Sequence, residues 1–111
     1  MPIVRIEYKK EDFSKDTMQL IATKLQEFSA EVTGYEPKDI SVFATENQIT
    51  VNAAPIEIYI YATFPEVTEG DMEHMLEALK ELISHFKKEA GILTPFNLSV
   101  VKMNWKFQLE V

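Results

Sequence analysis

Pro2 is the residue of this chain whose type and position could do chemistry. If Met1 is removed, Pro2 becomes the amino terminus, a secondary amine with no side-chain competitor. An α-amino group in water titrates near 8, and modest desolvation leaves it a neutral base at working pH. Such a base also needs a partner that holds the charge of its substrate. Arg5 is the sole arginine, and strand parity sets it beside Glu7 on the face away from the helices. Charge pairs of that kind are usually solvated, so Arg5 reads first as a partner of Glu7 and second as a substrate contact. Lys38 and Lys102 are further cations, with no spacing that ties them to Pro2. Many chains begin Met-Pro without consequence, and Pro2 gains meaning only from the elements that follow it.

Other chemistries find little support. His74 and His85 are the only histidines and both fall on the polar side of one helix, about 16 Å apart at 1.5 Å per residue, which is no metal pair. The three glycines, Gly34, Gly70 and Gly91, are too scattered for a phosphate-cradling loop. Ser41 and Ser99 have no histidine in reach and read as strand residues rather than nucleophiles. With no cysteine there is neither disulfide nor thiolate site. No metal or cofactor is expected. Trp105 and Phe107 read as interface anchors before they read as a stacking site.

At 111 residues and 46% hydrophobic the chain fits one domain, 1–111. Its 18 acidic against 11 basic residues give a net charge of -7, which repels phosphate backbones and anionic headgroups. Nucleic acid and membrane surfaces are therefore poor partners. Arg5, Glu7, Lys9 and Lys10 interrupt any apolar leader, and no apolar run approaches a membrane span, so a cytoplasmic protein is expected.

The chain says nearly the same thing twice. Pro2 leads into the alternating run Ile3 to Tyr8, and Ser14 is an N-cap for a helix of about five turns carrying Met18, Ile21, Ala22, Leu25, Phe28 and Val32 on one stripe. Thr33-Gly34 ends that helix, Pro37 blocks its continuation, and Ile40-Ser41-Val42 opens a second strand. Pro55 leads into Ile56 to Phe64. Thr68-Glu69-Gly70-Asp71 starts a second helix with Met72, Met75, Leu76, Leu79, Leu82, Ile83, Phe86 and Ala90 on one stripe. Gly91, Pro95 and Leu98-Ser99-Val100 close the second round. The pseudo-repeats are 1–54 and 55–111.

The fold class is α+β: two tandem β-α-β units forming a four-stranded mixed sheet with two helices on one face. Ile56, Ile58 and Ile60 lie opposite Tyr59 and Tyr61, so that strand expects cover on both sides, and the helices supply one. The second face must find another subunit. Matching Ile40 to Leu98 also aligns Ile49 with Phe107 and Val51 with Leu109, which predicts short strands at 48–52 and 106–110 that leave the main sheet for subunit contacts. Pro2 and Pro55 match at a different offset, and the register of the first strands stays open.

These features resemble the tautomerase superfamily, the group of oxalocrotonate tautomerase and macrophage migration inhibitory factor, in the topology of the whole chain and most specifically in Thr33 to Val42, which is similar to the helix-end, proline and second-strand stretch of the latter type. A small uncharacterised bacterial branch is nearest in style. The resemblance implies a homotrimer whose sheets wrap into a barrel with helices outside. It also implies keto-enol tautomerisation of a small carboxylic acid, with the Pro2 nitrogen as the base. Of the family's site only Pro2 carries over. Its arginine positions fall on Asp12 and Ser41, its lysine after Thr-Gly on Tyr35, and its fourth-strand tyrosine and asparagine on Ser99 and Val101. Arg5, Tyr35 and Ser41 are the residues left to meet a substrate. The same order of elements also describes a ferredoxin-like sandwich, a ligand-binding or assembly module without chemistry. A tautomerase fold without activity is the third reading.

Overall fold

The computed structural model describes residues 2–62, 69–103 and 108–111. Its strands are β1 (Ile3–Lys9), β2 (Ser41–Asn47), β3 (Ile56–Ala62) and β4 (Asn97–Lys102), and its helices are α1 (Lys15–Thr33) and α2 (Glu69–Ala90). The sheet order is β2-β1-β3-β4. β1 runs parallel to β2 and β3 parallel to β4, while β1 and β3 meet antiparallel at the centre. This is the mixed four-stranded sheet of two β-α-β units, because each parallel pair is joined through one helix.

Each helix forms where its sequence directs. The Ser14 hydroxyl accepts the Thr17 backbone N–H at 3.1 Å, which satisfies one orphan donor of the first turn. At the other end Gly34 takes φ +80°, and its N–H donates to the Ala30 carbonyl at 2.9 Å. A side chain at Gly34 would be strained by that φ, although nothing crowds the position. Pro37 does more than stop α1: it opens a short 3₁₀ turn, Pro37–Asp39, which hands the chain to β2. The Gln26 amide bridges the Pro37 and Ile40 carbonyls at 2.8 and 3.1 Å and fastens this turn to α1.

One core lies between the helices and one face of the sheet. Val4, Ile6 and Tyr8 of β1 and Ile56, Ile58 and Ile60 of β3 are buried against Met18, Ile21 and Leu25 of α1 and Leu79, Ile83 and Phe86 of α2. The Phe28 and Phe86 rings meet edge-on at 6.2 Å and join the two helices. Ser29 is fully buried on α1, and among the described residues its hydroxyl has no hydrogen-bond partner.

Three expectations change. The segment 48–52 forms no strand in this chain; Asn52 takes φ +54°, and Ile49 and Val51 are 88% and 89% exposed. Residues 108–111 likewise form no strand, and Lys106 and Phe107 lie outside the described residues. A segment has ladder hydrogen bonds only when another strand lies beside it, and none of the described strands pairs with these two. The open register is settled by the sheet: Ile3 stands beside Ser41 as Tyr59 stands beside Ser99, so Ile3 is equivalent to Tyr59 and the two prolines are not equivalent. The expected end of β3 at Thr63-Phe64, the Thr68 cap and Trp105 also lie outside the described residues.

Candidate functional site

Pro2 precedes Ile3, and Ile3 is flanked by Ser41 on β2 and Tyr61 on β3. Alternation along β1 puts Pro2 in line with Val4 and Ile6 on the helix side, and its ring is less than 2% exposed. One step back along both ladders, its neighbours are Ile40 and Ala62, both buried. Pro2 therefore heads the central strand in an apolar, desolvated position, the surroundings that favour a neutral amine.

The return from α1 brings Tyr35 and Lys38 to this same end of the sheet. Tyr35 is half-buried against the core, with its backbone N–H donating to the Thr33 hydroxyl at 3.4 Å. Lys38 is exposed and pairs with Glu36 at 3.2 Å. Lys102 stands opposite Ala62, and the next residue, Met103, donates its N–H to the Ala62 carbonyl at 3.0 Å. Pro2, Ala62 and Lys102 thus form one row across β1, β3 and β4, with backbones about 10 Å apart from first to last at ~4.8 Å per strand. The side chain between the two end positions is a single methyl group.

Arg5 and Ser41 lie on the other face, which has no helix. Three rows run across it: Ser41, Ile3, Tyr61 and Val101; then Phe43, Arg5, Tyr59 and Ser99; then Thr45, Glu7, Glu57 and Asn97. Arg5 and Ser41 are exposed, so the structure brings these two together on one face and Pro2 with Lys102 on the other. The Tyr59 and Tyr61 rings stack at 6.2 Å. Burial holds the Tyr59 phenol above its usual range, and the carboxylates of Glu57 and Glu7 and the neighbouring Tyr61 push it the same way. Asp12 sits in the 3₁₀ turn Lys10–Asp12 beyond the far end of β1, more than about 20 Å along the strand from Pro2. Within one chain it has no access to that amine.

Two features escaped the sequence. The row joining Pro2 to Lys102 depends on the antiparallel pairing of β1 with β3, which no local pattern encodes. The direct opposition of Glu7 and Glu57 depends on the same register. Among the described residues no group of three or more His, Asp or Glu side chains is placed to hold a metal ion. His74 and His85 line one open groove of about 570 Å³ between the helices, with Val32, Met75 and Leu82 as its floor.

No protein-family model and no curated protein matches this chain. Solved structures do. A macrophage migration inhibitory factor-like protein from Entamoeba histolytica superposes with a TM-score of 0.65 at 18% identity, covering 96% of this chain and 95% of that one. The FG41 malonate semialdehyde decarboxylase, solved inhibited by 3-bromopropiolate, gives 0.66 at 16% identity over 98% and 91%. A fused 4-OT, a symmetric trimer, gives 0.66 at 10% identity over 91% and 85%. Sequence identity this low speaks for the fold alone, and it speaks consistently: the chain has the fold of the tautomerase superfamily.

Proposed function

We propose that, with Met1 removed, Pro2 is the general base of a keto-enol tautomerase acting on a small enol or keto acid. The observation that carries this reading is the burial of Pro2 at the head of the central strand in a chain of this fold. A desolvated secondary amine there is neutral near pH 7 and can take the enol hydroxyl proton. The resulting ammonium returns a proton to the α-carbon, so the amine is regenerated and no cofactor is consumed. Lys102 shares the row of Pro2 and is the ammonium best placed for the substrate carboxylate. Tyr35 borders the same end of the sheet, while Arg5 and Ser41 face the side that a second subunit would cover. A single domain of two pseudo-repeats, assembled as a homotrimer and working in the cytoplasm, completes the proposal. The asymmetric burial of the sheet supports it, because Phe43 is 57% exposed on the helix-free face.

Activity is expected to be weak. Asp12, Tyr35 and Ser41 stand where the resemblance places basic residues, and losing one preorganised partner for developing charge costs about 3–4 kcal/mol, or ~10²–10³ in rate. A non-catalytic binding or assembly module on the same fold is the second reading, favoured by Asp12, Tyr35 and Ser41 standing where the resemblance places basic residues. The deciding experiment compares protein whose mass shows Met1 removed with protein carrying a retained extension, whose Pro2 nitrogen is an amide and cannot accept a proton. Phenylpyruvate enol should ketonise faster with the processed form. Equal rates would remove Pro2 as the base and leave the non-catalytic module.

A further inference from the structure

We infer that the hollow between α2 and the edge strand β4 is a binding site for an amphipathic monocarboxylate, separate from the Pro2 end of the sheet. The cavity measures about 300 Å³, at the lower end of the range for small-molecule sites. Ile83, Phe96 and Leu98 form its apolar wall, and Lys80, Ser84 and Lys87 its polar one. Lys80, Ser84 and Lys87 are four and three residues apart on α2, so they are surface neighbours with the hydroxyl between the two ammonium groups.

The commitments of these groups point to an anion. Among the described residues Lys87 has no carboxylate partner; its Nζ stands 4.6 Å above the centre of the Phe96 ring. Among the described residues Lys80 has only a loose pairing with Glu77 at 3.8 Å, and the Ser84 hydroxyl has no hydrogen-bond partner. In a chain of net charge -7, two ammonium groups on one helix face, about two turns apart with a hydroxyl between them, stand over an apolar hollow. A carboxylate at Ser84 would accept a hydrogen bond from its hydroxyl and from both lysines, and a hydrocarbon or aryl tail would cover Ile83, Phe96 and Leu98. A cationic ligand would be repelled by the two ammonium groups, and a small polar one would leave the apolar wall uncovered. Leu98 is opposite Ile58, four residues and about 13 Å along β4 from Lys102, so the hollow is remote from the Pro2 row.

The test titrates octanoate into the full-length protein at low salt, followed by calorimetry, with octylammonium and acetate as controls. Saturable octanoate binding is expected, with octylammonium silent and acetate at least tenfold weaker. Ser84→Glu, an exposed change that sets an anion between the lysines, should abolish binding, and the double variant Lys80→Gln with Lys87→Gln should weaken it at least tenfold. Circular dichroism shows whether both remain folded. No saturation with the wild type, octylammonium binding as well as octanoate, or variants that bind like the wild type would each overturn the assignment. Binding that appears only when the protein's oligomer is dissociated would also overturn it, since the hollow would then belong to a subunit contact.

Discussion

Glu7 and Glu57 stand directly opposite each other on the two central antiparallel strands, on the sheet face that carries no helix. Among the described residues Glu7 has no hydrogen-bonding or ionic partner, and Glu57 has one, the Asn97 amide that donates to it at 3.2 Å. Like charges in directly opposed positions destabilise a sheet by roughly 0.2–1 kcal/mol. Glu7→Gln removes the repulsion with almost no change of shape. The urea midpoint of unfolding should rise at low salt, and the gain should shrink as salt screens the wild-type pair. A midpoint that falls would show that the two carboxylates are held by a cation, for which Arg5 or Lys9 of a second copy is the source.

Alkaline pH should unfold the protein through its tyrosines. The Tyr59 phenol is raised by burial and then by Glu57, Glu7 and Tyr61, and the Tyr8 phenol by burial and then by Glu46, to which it donates at 3.5 Å. A phenol whose folded pKa exceeds its unfolded value binds its proton more tightly when folded. Its stabilisation is complete below about pH 10 and is lost as pH rises through the folded value. Tyr59→Phe should therefore flatten the loss of stability above pH 10. Denaturation profiles of equal slope for wild type and variant between pH 9 and 11 would contradict this.

Ser29→Ala should stabilise the fold. The hydroxyl is fully buried without a partner, a state that costs about 1–3 kcal/mol, and alanine removes the polar atom while improving helix propensity. Thermal unfolding should move upward by several degrees for a gain of ~1 kcal/mol in a domain of this size. A lower midpoint would mean that the hydroxyl is satisfied in solution by a water.

Phe43→Asp should break the proposed assembly. The side chain lies on the edge strand β2, in the middle row of the helix-free face beside Arg5, and covering its exposed part with a second subunit would contribute about 1–2 kcal/mol per copy. An aspartate in its place would remove that apolar surface and carry a charge into the contact, whose desolvation the neighbouring Arg5 offsets only in part. Light scattering should report a trimer for the wild type and smaller species for the variant. A monomeric wild type, or a trimer indifferent to the change, would sink the proposal.

Local physics made the elements legible. Ser14 and Gly34 bound α1 because an N-cap hydroxyl and a left-handed residue act on their own neighbours, and the stripes of Leu25 and Leu79 follow from the helical period alone. The alternation of Val4, Ile6 and Tyr8 likewise announced which side of β1 is buried, and the doubled pattern announced the sheet's β-α-β units. Pairing was not legible. Whether Ile3 meets Ile56 or Tyr61 depends on how the two halves dock across the core, and a chain-local pattern of period two is satisfied by several such choices. The tertiary structure alone decided that Pro2 shares a row with Lys102 and that Glu7 faces Glu57. It also decided that Pro55 is no counterpart of Pro2 and that Ile49 and Val51 remain without a strand partner in one chain. Each is a relation between residues distant in sequence, set by closing one shared core rather than by the preferences of any segment.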